Sequence, residues 1–472
     1  MLGREYESAR LIEALATGQS ELIAIIGRRR VGKTFMVKTV FEKQLRFYQT
    51  GMNNGPKEEQ LLHFSEKLTE YGKGNIPLKT PETWSEAFGQ LKLHLLGYKG
   101  KTKQVIFFDE IPWLATHKSG FLEALDYFWN DWASTANIVV VICGSAASWM
   151  LEHIVNNKGG LHNRITKLIR LNPFTLSETK TYLVSRGIQL DHYQLSQIYM
   201  AMGGIPHYLK EIKPGESAIE NINRICFEKD GLLRNEFPNL YAALFDHAHN
   251  HIEIVKALAQ KWKGLTRQEI IDATKFTNGG GLTKVLTELE ESGFISTILP
   301  FGKKKRETLY RLSDEYTLFY LAFIEKTNAA NKETWLSISK SASYHAWAGY
   351  AFESLCLKHV AKIKEALGIS GTFSNESGYT LKGTKEQPGT QIDLLIDRDD
   401  RAINVCEMKF SNTEFLITKE YAKSLRTKKE IFRQATGTKK LLITTLITTY
   451  GLIPNDNSIG LVDKLVTADA LF

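Results

Sequence analysis

The chain has 472 residues, 43% hydrophobic and 24% charged, a balance that suits a soluble globular protein and excludes long disordered tracts. Its length points to about three or four domains, and a formal charge of +8 with a pI near 9.0 favours an anionic partner. The four cysteines, Cys143, Cys226, Cys356 and Cys406, are widely spaced, which argues against a disulfide frame or zinc site; no signal core or run of ~20 apolar residues is present, so a cytoplasmic protein without a membrane span is expected.

In chain order, Gly3-Arg4-Glu5 precedes an amphipathic run from Ser8 to Leu15. That segment is placed either to fold over an adenine ring or simply to start a surface helix. Leu22 to Ile26 is a short apolar run of the buried parallel-strand kind, and Phe35-Met36-Val37 begins a helical pattern. Between them Gly27, Arg28, Arg29, Arg30, Val31, Gly32, Lys33 and Thr34 fit the phosphate-loop pattern G-x-x-x-x-G-K-[ST]. Glycines let backbone N–H groups curl around phosphates, and the following helix adds its positive dipole end. ATP is the expected ligand, with Lys33 on the β- and γ-phosphates and Thr34 on Mg2+.

Asn53 to Gly74 reads as a loop and an amphipathic helix, and Thr83-Trp84 opens another that ends near Leu96. Val105 to Phe108 then gives four apolar residues before Asp109 and Glu110. A buried parallel strand ending in acids delivers carboxylates to the edge of the sheet where ligands bind. Asp109 is expected to hold Mg2+ through water, and Glu110 to orient or deprotonate the attacking water. A third strand, Ile138 to Cys143, leads to Ser145, which either senses the γ-phosphate or caps the next helix.

Helical patterns cover Leu176 to Leu183, Gln194 to Met202 and Ile252 to Trp262; Thr266 opens a further helix, and another runs from Leu282 to Ser292. Strand-like Phe294 to Leu299 and Thr308 to Leu312 flank a basic turn, so residues 241–315 resemble a winged helix-turn-helix. Thr283, Lys284, Thr287 and Glu288 are its exposed candidates for a groove. The tip Gly302-Lys303-Lys304-Lys305-Arg306 sets four positive charges where phosphates would lie. DNA contact is one reading. Docking of a protein partner is the other, since Glu288, Glu290 and Glu291 make the third helix acidic.

Trp347 to Lys364 reads as one amphipathic helix carrying Glu353. Strands Gln391 to Ile396 and Ala402 to Lys409 are joined by Asp399-Asp400-Arg401, and folding about Asp400 sets Asp393 opposite Glu407. Strand alternation sends Glu407 and Lys409 to one face. Lys439 to Thr445 and Ile459 to Val462 are further strand candidates, and Lys419, Lys423, Arg426, Lys428 and Lys429 populate the intervening helix.

Gly3-Arg4-Glu5, Gly27 to Thr34, Asp109 to Leu114, Cys143 to Ala146 and Gly203-Gly204-Ile205-Pro206 together give residues 1 to about 235 a resemblance to prokaryotic P-loop ATPases of the STAND/AAA+ clade. The resemblance implies an ATPase core over 1–174 and a helical lid over 175–240. It also implies an arginine finger at Arg164, with Asn163 where the family has glycine; a finger acting in trans requires a homo-oligomer. The region from about 345 resembles the PD-(D/E)xK nuclease superfamily, which implies Mg2+ on Asp393 and Glu407, Lys409 as the group that positions or activates water, and Glu353 completing the site. A pair of strands with salt-bridged acids, or an inactive nuclease-like platform, remains the alternative. The expected fold is α/β and multidomain: a P-loop parallel sheet with helical lid, a winged helix, connecting helices over 316–344, and a nuclease-like α/β domain over 345–472. The expected function is ATP hydrolysis coupled to DNA binding and Mg2+-dependent cleavage, or an ATPase switch whose C-terminal domain only docks.

Overall fold

The computed structural model describes residues 2–72, 78–98, 100, 102–156, 161, 163–327, 334–383 and 389–472. Three stretches read from sequence reach outside them: residues 73–74, His162 beside Arg164, and residues 328–333 of the expected connecting helices. The chain divides into two compact units, Met1–Pro173 and Phe174–Phe472.

The first unit is a five-stranded parallel sheet: β1 (Glu21–Ile26), β2 (Leu45–Thr50), β3 (Gln104–Asp109), β4 (Ile138–Gly144) and β5 (Lys167–Arg170), in the order β2-β3-β4-β1-β5. The central strands are the apolar runs. β1 and β4 are buried throughout, as helices on both faces require. One layer of the core is aromatic: Trp84 meets Phe121 edge-on at 4.8 Å, and Phe88 lies 5.5 Å from Phe108. Thr83 caps the helix Trp84–Leu96, its hydroxyl accepting from the Glu86 N–H at 3.2 Å. Lys103 closes the helix Glu5–Ala16 from the other end, its buried ammonium donating to the Ala14 and Thr17 carbonyls at 2.8 and 3.1 Å.

The second unit begins with the helices Leu176–Ser185 and His192–Met202. Gly203 (φ +65°) ends the latter, and a Cβ on Gly204 would lie 1.9 Å from the Phe174 carbonyl oxygen, so only glycine fits there. Helices Ala248–Gln260, Arg267–Ala273 and Gly280–Glu291 follow, with β6 (Leu265–Thr266), β7 (Ile295–Ile298) and β8 (Leu309–Leu312) in one small antiparallel sheet, β8 central. Residues 302–306 are exposed, whereas the preceding Phe301 is pinned, its N–H donating to the Gly378 carbonyl at 2.8 Å and its ring 5.3 Å from Phe432. Glu288 is less free than its position suggested: it pairs with buried His251 at 2.7 Å.

The last sheet contains β9 (Ser374–Leu381), β10 (Thr390–Arg398), β11 (Ala402–Lys409), β13 (Leu441–Thr448) and β15 (Lys464–Thr467), in the order β15-β13-β11-β10-β9; β12 (Phe415–Leu416) and β14 (Leu452–Ile453) pair separately. β9, β10 and β11 run antiparallel, while β13 and β15 are parallel to β11. The helix Lys419–Thr436 makes the crossover from β11 to β13 and buries Leu425 and Phe432.

Two expectations are corrected. The helix expected over Trp347–Lys364 is two, Ala342–Lys358 and Val360–Ala366, broken at His359. The His359 Nε2 accepts the Leu176 N–H at 3.2 Å, which makes Nδ1 the protonated nitrogen, donating to the Leu355 carbonyl at 2.8 Å. Ile459–Val462 is a turn instead of a strand: the Asn455 side chain accepts from the Asn457 and Ser458 N–H groups and Gly460 sits at φ +71°.

Candidate functional site

The phosphate loop leaves the C-terminal end of β1, and the helix Lys33–Val40 opens directly from it. Arg30 (φ +71°) and Gly32 (φ +96°) take left-handed conformations, the kind of backbone that turns successive N–H groups inward. Gly27 has no room for a side chain, since a Cβ would stand 2.3 Å from the Leu171 carbonyl oxygen. The buried Lys33 ammonium donates to the Gly27 and Arg28 carbonyls at 2.8 and 3.2 Å, crossing the mouth of its own loop.

β3 brings its terminal acid to the same edge. The Thr34 hydroxyl donates to Asp109 Oδ2 at 2.5 Å, and Cys143 Sγ on β4 donates to Oδ1 at 2.6 Å. Burial and the Asp109 charge push the Cys143 thiol well above its ordinary pKa, so it stays a neutral donor. Glu110, in the left-handed region at φ +49°, turns toward β4, where its Oε2 accepts from the Ser145 N–H at 2.9 Å and the Ser145 hydroxyl at 2.8 Å. The capping alternative for Ser145 falls away, because the following short helix has Ala146 at its N-cap. Thr34 and Asp109 supply oxygen donors suited to Mg2+, and the loop supplies the concave amide surface suited to phosphates.

Arg4 stands at the N-cap of the helix Glu5–Ala16, as the helix-start reading expected, but its own side chain turns inward. It is 2% exposed, and one guanidinium nitrogen bridges the Val31 carbonyl in the loop at 3.2 Å and the Asn172 carbonyl after β5 at 2.7 Å. Arg164 is exposed; Asn163 before it holds φ +59°, a conformation asparagine tolerates nearly as glycine does.

The second cluster lies within the second unit. Register pairs Leu394 with Cys406 and Leu395 with Val405, and the ladder ends there, with Asp393 in the irregular stretch of β10 between Ile392 and Leu395. Lys409 Nζ is 3.1 Å from Glu407 Oε1, on the same face of β11. Glu353 on Ala342–Lys358 faces them: burial raises its pKa most, Asp393 and Glu407 add to this, and Arg311 and Lys409 oppose it. All four expected residues therefore share one electrostatic neighbourhood, and Glu353, Asp393 and Lys409 line one cavity of about 610 Å3.

Sequence reasoning missed two members. From the crossover helix, Lys428 Nζ reaches Glu407 Oε2 at 2.8 Å and the Tyr421 hydroxyl donates to Oε1 at 3.0 Å. Tyr421, Leu425, Lys428 and Phe432 recur at helical spacing, which is the one signal that a tyrosine and a lysine sit on the inward stripe. Burial alone would raise Glu407, but Lys409 and Lys428 outweigh it and hold its carboxyl below the usual range. Among the described residues no three His, Cys, Asp or Glu groups converge on a metal position. The oxygen set of Asp393 and Glu407 still fits Mg2+, which takes one or two carboxylates and keeps waters.

Residues 1–212 match a family described as an ATPase domain predominantly from Archaea. An uncharacterized protein of Methanocaldococcus jannaschii is 25% identical over 441 residues, 91% of each chain. Among solved structures, a Walker-type ATPase of Pyrococcus abyssi is 17% identical, covering 68% of this chain and 96% of its own, with a TM-score of 0.48. The ORC2 protein of Aeropyrum pernix is 16% identical, covering 72% and 93%, with a TM-score of 0.39. With its parallel sheet, phosphate loop and family match, the N-terminal part of this chain is an ATPase domain of the P-loop type.

Proposed function

We propose that the chain is an ATP-controlled nuclease, in which the P-loop domain hydrolyses ATP and the cluster around Glu407 cleaves nucleic acid. In the ATPase site, Lys33 and the loop amides would hold the phosphates, Thr34 and Asp109 would hold Mg2+, and Glu110, anchored by Ser145, would orient the attacking water. Exposed Arg164 serves a neighbouring subunit of a homo-oligomer.

The observation that carries the nuclease reading is the convergence of Glu353, Asp393, Glu407 and Lys409 on one cavity wall and its neighbourhood. Mg2+ on Asp393 and Glu407 would stabilise charge on a phosphodiester undergoing attack. Lys409 positions the attacking water, and Glu353 completes the site from the helix Ala342–Lys358. The three helices and the β6-β8-β7 sheet of residues 248–312 support a winged helix that brings DNA to the cavity by its basic tip.

The lid reading of residues 175–240 gives ATP a route to this site. Gln197 donates to the Tyr344 hydroxyl at 2.9 Å, and Tyr193 stacks on Phe410, the residue after Lys409, at 4.8 Å. A second reading has one observation in its favour: Glu407 already meets two lysines and a tyrosine, as a docking platform's structural ion pair would. Incubation of the full chain with DNA, Mg2+ and ATP separates them. Cleavage lost in Asp393→Asn with ATP turnover intact supports the nuclease; ATP turnover without any cleavage by the native chain supports the platform.

A further inference from the structure

The cavity beside Asp393 and Lys409 has a wall that the acid-and-lysine cluster does not account for. Trp262 stacks on Tyr350 with ring centroids 5.2 Å apart and planes 23° apart, and the Arg311 guanidinium lies 5.3 Å from the centre of the same tyrosine ring. Tyr350 is buried in this sandwich and Trp262 is half-buried on the cavity side. Exposed Lys263 stands next to it at the rim, and Lys409 and Lys428 line the same cavity. Aromatic faces alternating with cations are the arrangement by which proteins hold unpaired bases and their phosphates.

The volume narrows the ligand: about 610 Å3 lies within the ~300–1,000 Å3 of small-ligand pockets, room for a nucleotide but not for a duplex. Gln391, also on the wall, donates through Nε2 to Asp393 Oδ1 at 2.6 Å, which fixes its amide orientation beside that carboxylate.

We infer that this cavity is a nucleotide pocket that admits an unpaired strand end, its base covering Trp262 and its phosphate reaching Lys409 and Lys428, so that the site selects single-stranded ends over duplex interiors. The inference rests on the nucleic-acid reading proposed above and adds the substrate class. Neighbouring Tyr350 and Arg311 act as positioning residues that hold the Trp262 ring in place.

The test is binding by the full chain in the presence of a chelator, read as fluorescence anisotropy of labelled oligodeoxyadenylate and of a blunt duplex of equal length. Trp262→Ala weakens the single strand by about 10- to 100-fold, the loss of one stacked base, while Trp262→Phe stays within about threefold and duplex affinity is unchanged. Should Trp262→Ala not fold, Lys263→Glu at the exposed rim is expected to lower single-strand affinity selectively. Equal single-strand affinity in the native chain and Trp262→Ala, or parallel loss for both oligonucleotides, overturns the inference. Trp262-dependent binding of a strand that Mg2+ and ATP leave uncut contradicts the nuclease reading alone. Cleavage of the single strand by Trp262→Ala at the native rate contradicts the strand-end pocket alone.

Discussion

Arg4 ties three parts of the ATPase unit together through one guanidinium, bonding the loop at Val31 and the segment after β5 at Asn172 from the start of the first helix. Each buried carbonyl left without its donor costs about 1–3 kcal/mol. Arg4→Ala is therefore expected to lower unfolding stability by about 2–4 kcal/mol and to weaken nucleotide binding; Arg4→Lys restores part of the loss, because one nitrogen makes both bonds and an ammonium can donate to two carbonyls. Chemical denaturation followed by titration with a fluorescent ATP analogue reads both effects. Gly27→Ala is more severe, as its Cβ falls 2.3 Å from a backbone oxygen that cannot swing away, so loss of soluble folded protein is the expected outcome. Residue-scale legibility follows the same physics. The phosphate loop is contiguous and its chemistry demands glycine and lysine at fixed offsets, so it reads directly from sequence. Helical spacing puts Lys428 and Tyr421 on an inward stripe, but that they meet Glu407 depends on where the crossover helix is placed against β11, which local spacing does not encode.

At the scale of elements, the buried central strands of the two five-stranded sheets are legible and their edge strands are not. β1, β3 and β4 are continuous apolar runs, whereas β2, β5 and β9 are half-exposed and mix polar with apolar residues, which removes the pattern. The β10–β11 hairpin was readable because its turn residues fixed the register that pairs Leu394 with Cys406. The break at His359 was not, since it depends on a bond to Leu176 far away in sequence. Burial depresses the His359 pKa, and the neutral ring is the form that accepts the Leu176 N–H. A His whose folded pKa lies below its unfolded value of about 6.5 contributes stability that is present above that value and is lost as pH falls through the window below it. Thermal unfolding of the second unit should fall between pH 7 and 5 more steeply in the native chain than in His359→Gln, whose amide oxygen accepts the same N–H without titrating.

For the whole molecule, the ATPase family match ends at residue 212, while the first compact unit ends at Pro173. Residues 174–212 thus carry ATPase sequence but are built into the unit that holds Glu353 and Glu407, through Gln197 on Tyr344 and Tyr193 on Phe410. On the proposed lid reading, a movement of residues 174–212 is a change in the packing beside Lys409. Tyr193→Ala should leave ATP turnover within about twofold and reduce the dependence of cleavage on ATP, since a ring pair of this kind couples by about 0.5–1.5 kcal/mol. A cleavage rate with unchanged ATP dependence would sever the two. The most direct measurement is the cleavage rate of the full chain on single-stranded DNA with Mg2+ and ATP, recorded beside ATP turnover for the native chain and Lys409→Ala. Lys409→Ala is expected to lose cleavage by about 100-fold or more, the scale of a displaced general catalyst, with ATP turnover unchanged. Native protein that hydrolyses ATP and leaves the strand intact, or Lys409→Ala that cuts at the native rate, would contradict the nuclease reading.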